Sequence, residues 1–380
     1  MWSVVLWSVV FLMDEGPFFN RIAVVGVGLI GGSLGLACKR VKACREVVGV
    51  SRPQTVEEAV RIGAVDRGVD YADLPDGIAG ADAVFLCTPI SRILSLIEEV
   101  VPRAGAGTVV SDVGSTKAEV VARAGALGRA GVHFIGGHPM AGSEKSGVTA
   151  ADPFLFQNAI YVLTPAPGVP DAVQERFIAF VRRIGAQPVV MPPEVHDRAA
   201  AAISHLPQMI ATALVGTVGQ LDEGDGRFLR LAAGGFRDLT RIASSPYEMW
   251  RDICATNGPV IREMIDRYVR RLLELRDRVG DDALGQDFDY ANRVRGGIPK
   301  DSKGFLHVLH EILVVAEDRP GVIADIAGAL AGEGVNINDI EVLKVREGEG
   351  GTLRLGFDTR RAAERAMEIL SKKGYSARLR

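Results

Sequence analysis

What this 380-residue chain lacks narrows its function before any motif is read. It has only four cysteines, Cys38, Cys44, Cys87 and Cys254, with no CxxC pair and no Cys/His cluster at metal-ligand spacing. A disulfide framework and a structural zinc are therefore not expected, and a reducing, cytoplasmic setting is. No run of five or six like charges occurs, the net charge is −3 and the pI is near 6.1. That leaves no electrostatic footprint for nucleic acid and no basic helix-turn-helix face of the kind a DNA-binding regulator needs. The apolar opening, Met1 to Met13, lacks a basic start and a small-residue cleavage site, and is shorter than the ~20 residues a bilayer span requires. It reads as an extension before residue 20, with Met13 as the start, and no membrane partner is expected. Neither low-complexity tracts nor internal repeats are visible.

The length suggests two or three domains. From Arg21 to about Ala186, short β-branched runs (Ile22 to Val25, Val47 to Val50, Ala83 to Cys87, Thr108 to Ser111, Ile160 to Leu163) alternate with helical stretches. This predicts a Rossmann-type α/β domain over residues 20–190. Residues 191–280 carry apolar residues at helical spacing with almost no strand signal, which predicts an all-α domain. Its apolar content exceeds what one helical layer would bury, so a homodimer is expected. Residues 281–304, rich in Asp, Gly and Arg, read as a linker. Residues 305–380 show strands at Leu309 to Val315, Val335 to Val345 and Thr352 to Phe357, with helices beginning near Gly321 and Arg361, a small α+β module.

Gly26-Val27-Gly28-Leu29-Ile30-Gly31 follows a predicted strand and opens a predicted helix. The first glycine permits the tight turn, the second lets backbone approach a pyrophosphate, and the third allows close helix packing. A dinucleotide is therefore expected at Gly26, Gly28, Leu29, Ile30 and Gly31. Where NAD-specific sites place an acidic residue, this chain has Ser51-Arg52, a hydroxyl and a guanidinium suited to a 2′-phosphate, so both NADP and NAD stay open. Thr88-Pro89 ends a strand at the sheet edge and is expected to touch the cofactor.

Three further segments carry polar chemistry in apolar or glycine-rich settings. They are Gly136-Gly137-His138-Pro139-Met140-Ala141-Gly142-Ser143, whose glycine-flanked turn presents a histidine; Ser204-His205-Leu206-Pro207; and Gly234-Gly235-Phe236-Arg237-Asp238-Leu239-Thr240-Arg241. Taken singly, His205 on an apolar helix reads more often as a core histidine, and Arg241 more often as a surface ion-pair partner.

Together, and in this order, they resemble the prephenate/arogenate dehydrogenase family. The resemblance runs from GVGLIGGSLGLA through SDVGSTK (Ser111 to Lys117), GGHPMAGSEKSG (Gly136 to Gly147), HDRAAAAISHLPQ (His196 to Gln208) and GGFRDLTRIASSP (Gly234 to Pro246) to Trp250-Arg251-Asp252. It implies oxidative decarboxylation of prephenate, or of arogenate, with NAD or NADP on the route to tyrosine. It implies that His138 hydrogen-bonds the 4-hydroxyl and Ser115 orients it, that Arg241 binds a carboxylate, and that His205 contacts substrate. Ser143, for the substrate, and Lys117 are weaker candidates, as cofactor contacts or as groups behind those that touch substrate, and Gln208 bears on the choice of substrate in a way the sequence does not specify. A different β-hydroxyacid dehydrogenase, releasing no carbon dioxide, is the competing reading of the same fold.

Glu317-Asp318-Arg319-Pro320-Gly321-Val322 and Gly332-Glu333-Gly334-Val335-Asn336-Ile337 resemble an ACT domain, a βαββαβ amino-acid-binding module. That resemblance implies a regulatory ligand, tyrosine, near Asp318, Pro320, Gly321, Val322, Asn336 and Ile337. A dimerisation module without ligand is the alternative.

Overall fold

The computed structural model describes residues 16–142, 145–222, 224, 226–298, 309–317, 319–346 and 350–379. The expectations for residues 1–12, Ser143 and Asp318 lie outside them. The chain divides into two units, Met1–Val279 and Gly280–Arg380.

The first unit opens with β1 (Phe19–Val25), α1 (Leu29–Arg40), β2 (Cys44–Val50), α2 (Pro53–Arg61), β3 (Arg67–Val69) and α3 (Leu74–Ile78). It continues through β4 (Ala83–Leu86), α4 (Ile90–Val100), β5 (Val109–Asp112), α5 (Ala118–Leu127), β6 (His133–Pro139), β7 (Ile160–Pro165), α6 (Asp171–Arg183) and β8 (Gln187–Val190). Its eight strands run in the order β3-β2-β1-β4-β5-β6-β7-β8. Every pairing is parallel except β6 with β7. β4 and β5 are buried at every position, which is why they read as continuous apolar runs rather than alternating ones. The carboxyl ends of β1, β2, β4, β5 and β6 share one edge, and the order reverses between β1 and β4, where open sheets of this type bind ligands.

The helical part comprises α7 (Pro193–Ala200), a π-helical turn (Ala201–His205), α8 (Leu206–Leu221), α9 (Arg227–Arg230), α10 (Gly234–Thr240), the turn Arg241–Ser244 and α11 (Tyr247–Asp277). Pro207 cannot donate a main-chain hydrogen bond to the preceding turn, and the widened π turn sits just before it, at His205. α11 kinks at Asn257 (φ −121°, ψ 15°), two residues before Pro259, for the same reason. Trp250, Ile253 and Ile261 of α11 join the sheet's apolar core. Elsewhere these helices leave large apolar side chains bare, including Ile203 (69%), Leu231 (81%) and Leu239 (68%).

The second unit holds α12 (Leu284–Gly296), β9 (His310–Ala316), α13 (Val322–Gly332), β10 (Asp339–Arg346), β11 (Gly350–Phe357), α14 (Arg360–Lys372) and β12 (Ala377–Leu379). Its antiparallel sheet runs β10-β11-β9-β12. α13 and α14 bury Ile326, Leu330, Ala366 and Leu370 against Ile312, Val314, Leu355 and Phe357. β10 starts four residues later than the sequence pattern suggests, because Val335 and Ile337 pack on the core from the preceding loop. α12 stands where a linker was expected. Its sequence from Gln286 to Arg295 contains neither Gly nor Pro, so a helix forms although none of its residues is buried.

Candidate active site

The glycine turn after β1 has the form its sequence predicts. Gly26 adopts φ +94°, and a Cβ there would lie 2.6 Å from Cγ2 of Thr88 and 2.8 Å from the main-chain oxygen of Cys87. A Cβ on Gly31 would strike the main-chain oxygen of Gly26. Gly28 differs: a Cβ there would meet nothing within 4 Å, so packing does not demand glycine at this position. The open space faces the start of α1, whose first amides have no intrahelical partner and suit a phosphate. Leu29 lines a cavity of about 600 Å³ with Lys145, Thr149 and Asp152. Ser51 is buried at the end of β2, and exposed Arg52 precedes α2. Thr88 and exposed Pro89 follow β4 beside Gly26. These positions fit a dinucleotide lying across the sheet edge.

His138 does not sit in a turn. It lies near the end of β6, paired with Val162 of β7, and is half-buried. Its two preceding glycines serve packing, since a Cβ on Gly137 would come within 2.5 Å of the main-chain oxygen of Asp112. Nor does its hydrogen bond go to Ser115, which is half-buried in the turn after β5. His138 Nδ1 instead meets His196 Nε2 at 2.8 Å, and His196 Nδ1 meets Asp197 Oδ1 at 2.8 Å. Asp197 in turn accepts the main-chain N–H groups of Lys117 (2.7 Å) and Ala118 (2.9 Å), capping α5. Burial, then the neighbouring His196, Lys117 and His205, hold the His138 imidazole well below the usual histidine range, so it stays neutral.

Lys117 stands behind the strand that carries His138. Fully buried, it pairs through Nζ with Asp112 and donates to the main-chain oxygen of Gly137 at 2.7 Å. Burial lowers its pKa against the opposing pull of Asp112 and Asp197. Asp112 also accepts from the N–H groups of Gly114 (2.8 Å) and Gly137 (3.2 Å), so this pair ties the end of β5 to β6 just before His138.

His205 is buried at the π turn and pushed down to about 4 by burial, with Asp197 opposing and His196 reinforcing. The Asn257 amide nitrogen stands 3.3 Å from His205 Nδ1 and donates to the main-chain oxygen of Asp197 at 2.9 Å. An amide nitrogen can only donate, so His205 accepts at Nδ1 and carries its hydrogen on Nε2. The ring of Trp250 packs edge-on against it at 5.8 Å, and the buried indole N–H has no protein partner among the described residues. Gln208 is buried one turn further on, with its amide nitrogen 3.4 Å from the Thr212 hydroxyl. Arg241 is exposed on the turn that packs against α8.

Sequence reasoning missed His196, Asp197 and Asn257. The first two open the segment His196 to Gln208, so the signal was a His-Asp pair one helix ahead of the histidine that was assigned a role. Asn257 had no local signal beyond Pro259.

In the second unit the predicted regulatory residues separate. Val322 lines a cavity of about 370 Å³ with Arg319, Asp325 and Tyr375, whose hydroxyl donates to Asp325 at 2.6 Å. Asn336 lines another of about 570 Å³ with Asn338, Arg361 and Arg365. Gly321 (φ +89°) caps α13, and Pro320 and Ile337 flank these sites in the loops before α13 and β10. Among the described residues no cluster of His, Cys, Asp or Glu is suited to a metal.

Comparison with known proteins bears directly on this arrangement. Residues 34–190 match the nucleotide-binding domain of prephenate dehydrogenase, 192–290 its dimerization domain, and 310–365 the ACT domain. A prephenate dehydrogenase of Bacillus subtilis is 37% identical over 92% of this chain and 96% of its own. The crystal structure of Synechocystis arogenate dehydrogenase superposes with a TM-score of 0.66 at 32% identity, over 73% of this chain and 99% of that one. Prephenate dehydrogenase from A. aeolicus, in complex with hydroxyphenyl propionate and NAD+, gives a TM-score of 0.67 at 28% identity, over 73% and 97%.

Proposed function

This chain belongs to the prephenate dehydrogenase family of oxidoreductases, and from that premise we propose that it converts prephenate to 4-hydroxyphenylpyruvate and carbon dioxide at the carboxyl edge of the large sheet. The observation that carries this reading is a neutral histidine, His138, at the same sheet edge as the dinucleotide turn, with one ring nitrogen already engaged. A nicotinamide, when bound, supplies the acceptor for the hydride that leaves C4 of the substrate ring. His138 draws the 4-hydroxyl proton towards its other nitrogen as that hydride leaves. The ring carboxylate departs as carbon dioxide, its electron pair enters the ring, and the proton returns to what is now a phenolic oxygen. His205, donating from Nε2, and Arg241, offering paired donors in one plane, suit the substrate's anionic groups.

Gly26, Gly28 and the start of α1 hold the dinucleotide in this reading, with Thr88 and Pro89 beside it. Ser51 and Arg52 favour NADP over NAD, and Arg52→Asp should shift preference towards NAD. Arogenate, with an amine in place of the side-arm keto group, is the alternative substrate, favoured by that same Ser51-Arg52 pair. The bare apolar surface of the helical part suits a second copy of the chain, since a monomer would leave it in water. One stretch of it, Pro193–Leu221, is long and apolar enough to cross a membrane, with 28% of its 18-residue apolar window buried. A partner copy accounts for that exposure. The Val322 and Asn336 cavities of the second unit are the settings for tyrosine in this reading. Four free thiols accord with a cytoplasmic location.

The test is direct: purified protein, prephenate or arogenate, and NAD+ or NADP+, followed by absorbance of the reduced cofactor and release of carbon dioxide. Reduced cofactor without carbon dioxide would favour a β-hydroxyacid dehydrogenase instead. No turnover with either substrate would overturn the reading.

A further inference from the structure

We propose that Asp197 and His196 are positioning residues that fix the tautomer of His138, presenting its Nε2 to the substrate hydroxyl as a bare lone pair. The inference rests on the oxidation proposed above and adds to it the device that makes His138 a base rather than a donor. With a single hydrogen on the His196 ring, the direction of this chain follows from Asp197.

Asp197 begins the chain. Its Oδ1 accepts from the N–H of Lys117 and its Oδ2 from the N–H of Ala118, at 2.7 and 2.9 Å, so both oxygens act as acceptors at the start of α5. His196 Nδ1, 2.8 Å from Oδ1, must therefore be the donor. With that one hydrogen on the ring, His196 Nε2 is left as an acceptor. His138 Nδ1, 2.8 Å from that nitrogen, must then carry hydrogen and donate it. His138 Nε2 is left unprotonated, the form a base requires. His196 and Asp197 are 3% and 2% exposed, so water does not compete for these bonds.

The rings of His138 and His196 stand at 72° with centroids 5.1 Å apart, an arrangement in which the His196 nitrogen points at the edge of its neighbour rather than stacking on it. Other charged groups around His138 are placed so that they cannot replace this partner. Lys117 and Asp112 satisfy each other and the strand ends below it, while His205 on the π turn is engaged at Nδ1 by Asn257. The relay also crosses a boundary of the fold. Asp197 and His196 belong to α7 in the helical part, His138 and Lys117 to the sheet and the turn that follows it. The base is thus competent only when the two parts are docked.

The test uses the full-length protein and two readouts. Nitrogen-15 NMR of its six histidines, assigned by single replacement, should show His138 protonated at Nδ1 with a pyridine-type Nε2. Turnover of prephenate should fall about 10²- to 10⁴-fold in His196→Leu, which has no acceptor. In His196→Gln, whose side-chain oxygen can accept from Nδ1, turnover should stay within about tenfold of the parent. In His196→Leu the His138 signal should also move to the Nε2–H form. A parent His138 protonated at Nε2 overturns the proposal, as do equal losses in the two variants or no loss in either. The tautomer of the parent is read without substrate. A protein that shows the expected tautomer but does not oxidise prephenate would defeat the proposed function and leave the relay standing.

Discussion

Asn257 holds His205 and Asp197 at once: its amide nitrogen donates to the main-chain oxygen of Asp197 at 2.9 Å and stands 3.3 Å from His205 Nδ1. A histidine and an aspartate, on the π turn and on α7, are thereby referenced to a single kink in α11. Asn257→Ala should leave His205 free to turn and raise KM for prephenate about tenfold, the cost of one buried hydrogen bond of ~1.5 kcal/mol, with a smaller effect on kcat. Steady-state kinetics on a variant shown to be folded by its melting curve checks this. An unchanged KM would mean that His205 does not touch substrate.

Gly28 and Gly31 should separate cofactor binding from folding. A Cβ on Gly28 meets no protein atom within 4 Å and one on Gly31 strikes the Gly26 main chain. Gly28→Ala should melt close to the parent yet bind the dinucleotide at least about tenfold more weakly, because the methyl occupies the space for the pyrophosphate. Gly31→Ala should lower Tm. Calorimetric titration with the cofactor, beside the two melting curves, distinguishes them, and a Gly28→Ala protein with parental affinity would remove the pyrophosphate from this turn.

The state of His205 should be visible in stability against pH. Its folded value of about 4 lies below the ordinary 6.5, because burial and His196 outweigh Asp197. Between those values the unfolded chain binds a proton that the folded chain refuses, so this contribution is present in full above 6.5 and is lost as pH falls towards 4. The loss approaches about 3 kcal/mol and then levels off. Burial displaces His138 in the same direction, adding to the slope. Urea unfolding at pH 7 and pH 4.5 should show a smaller difference in His205→Gln than in the parent. Identical differences would place His205 in water.

Turnover and substrate affinity should divide between two residues. His138→Asn should cut kcat by about 10²- to 10⁴-fold while cofactor affinity stays near parental. Arg241→Gln should instead raise KM, reflecting a charge-assisted hydrogen bond of ~1.5 to 3 kcal/mol. If Arg241→Gln leaves KM alone, the exposed turn Arg241–Ser244 is structural.

Tyrosine should inhibit through the second unit. In the full chain, Asn336→Ala should keep parental turnover in the absence of tyrosine and lose most of the inhibition, since a coupling of ~1 to 3 kcal/mol corresponds to about 5- to 150-fold in affinity. Inhibition that persists undiminished in this variant and competes with prephenate would locate tyrosine at the active site.

Much of this was legible in the sequence because it depends on neighbours along the chain. The Gly26 to Gly31 turn follows from steric demands within a strand, a turn and a helix start, and the all-apolar β4 and β5 follow from burial on both faces. A proline at 207 or 259 tells where a helix must deform, though not what the deformation brings near. Short-range signals misled in two places. The glycines around His138 look like a turn but serve close packing against Asp112 and Thr164 within a strand, and the Asp- and Gly-rich stretch after Gly280 still forms α12. What only the tertiary structure decided is which polar groups meet. His138 and His196 are 58 residues apart, and Asp197 and Lys117 are 80 apart. A hydrogen bond needs its partners within about 3 Å and correctly aimed, a condition that no local pattern encodes and that here is met only when α7 docks against the ends of β5 and β6.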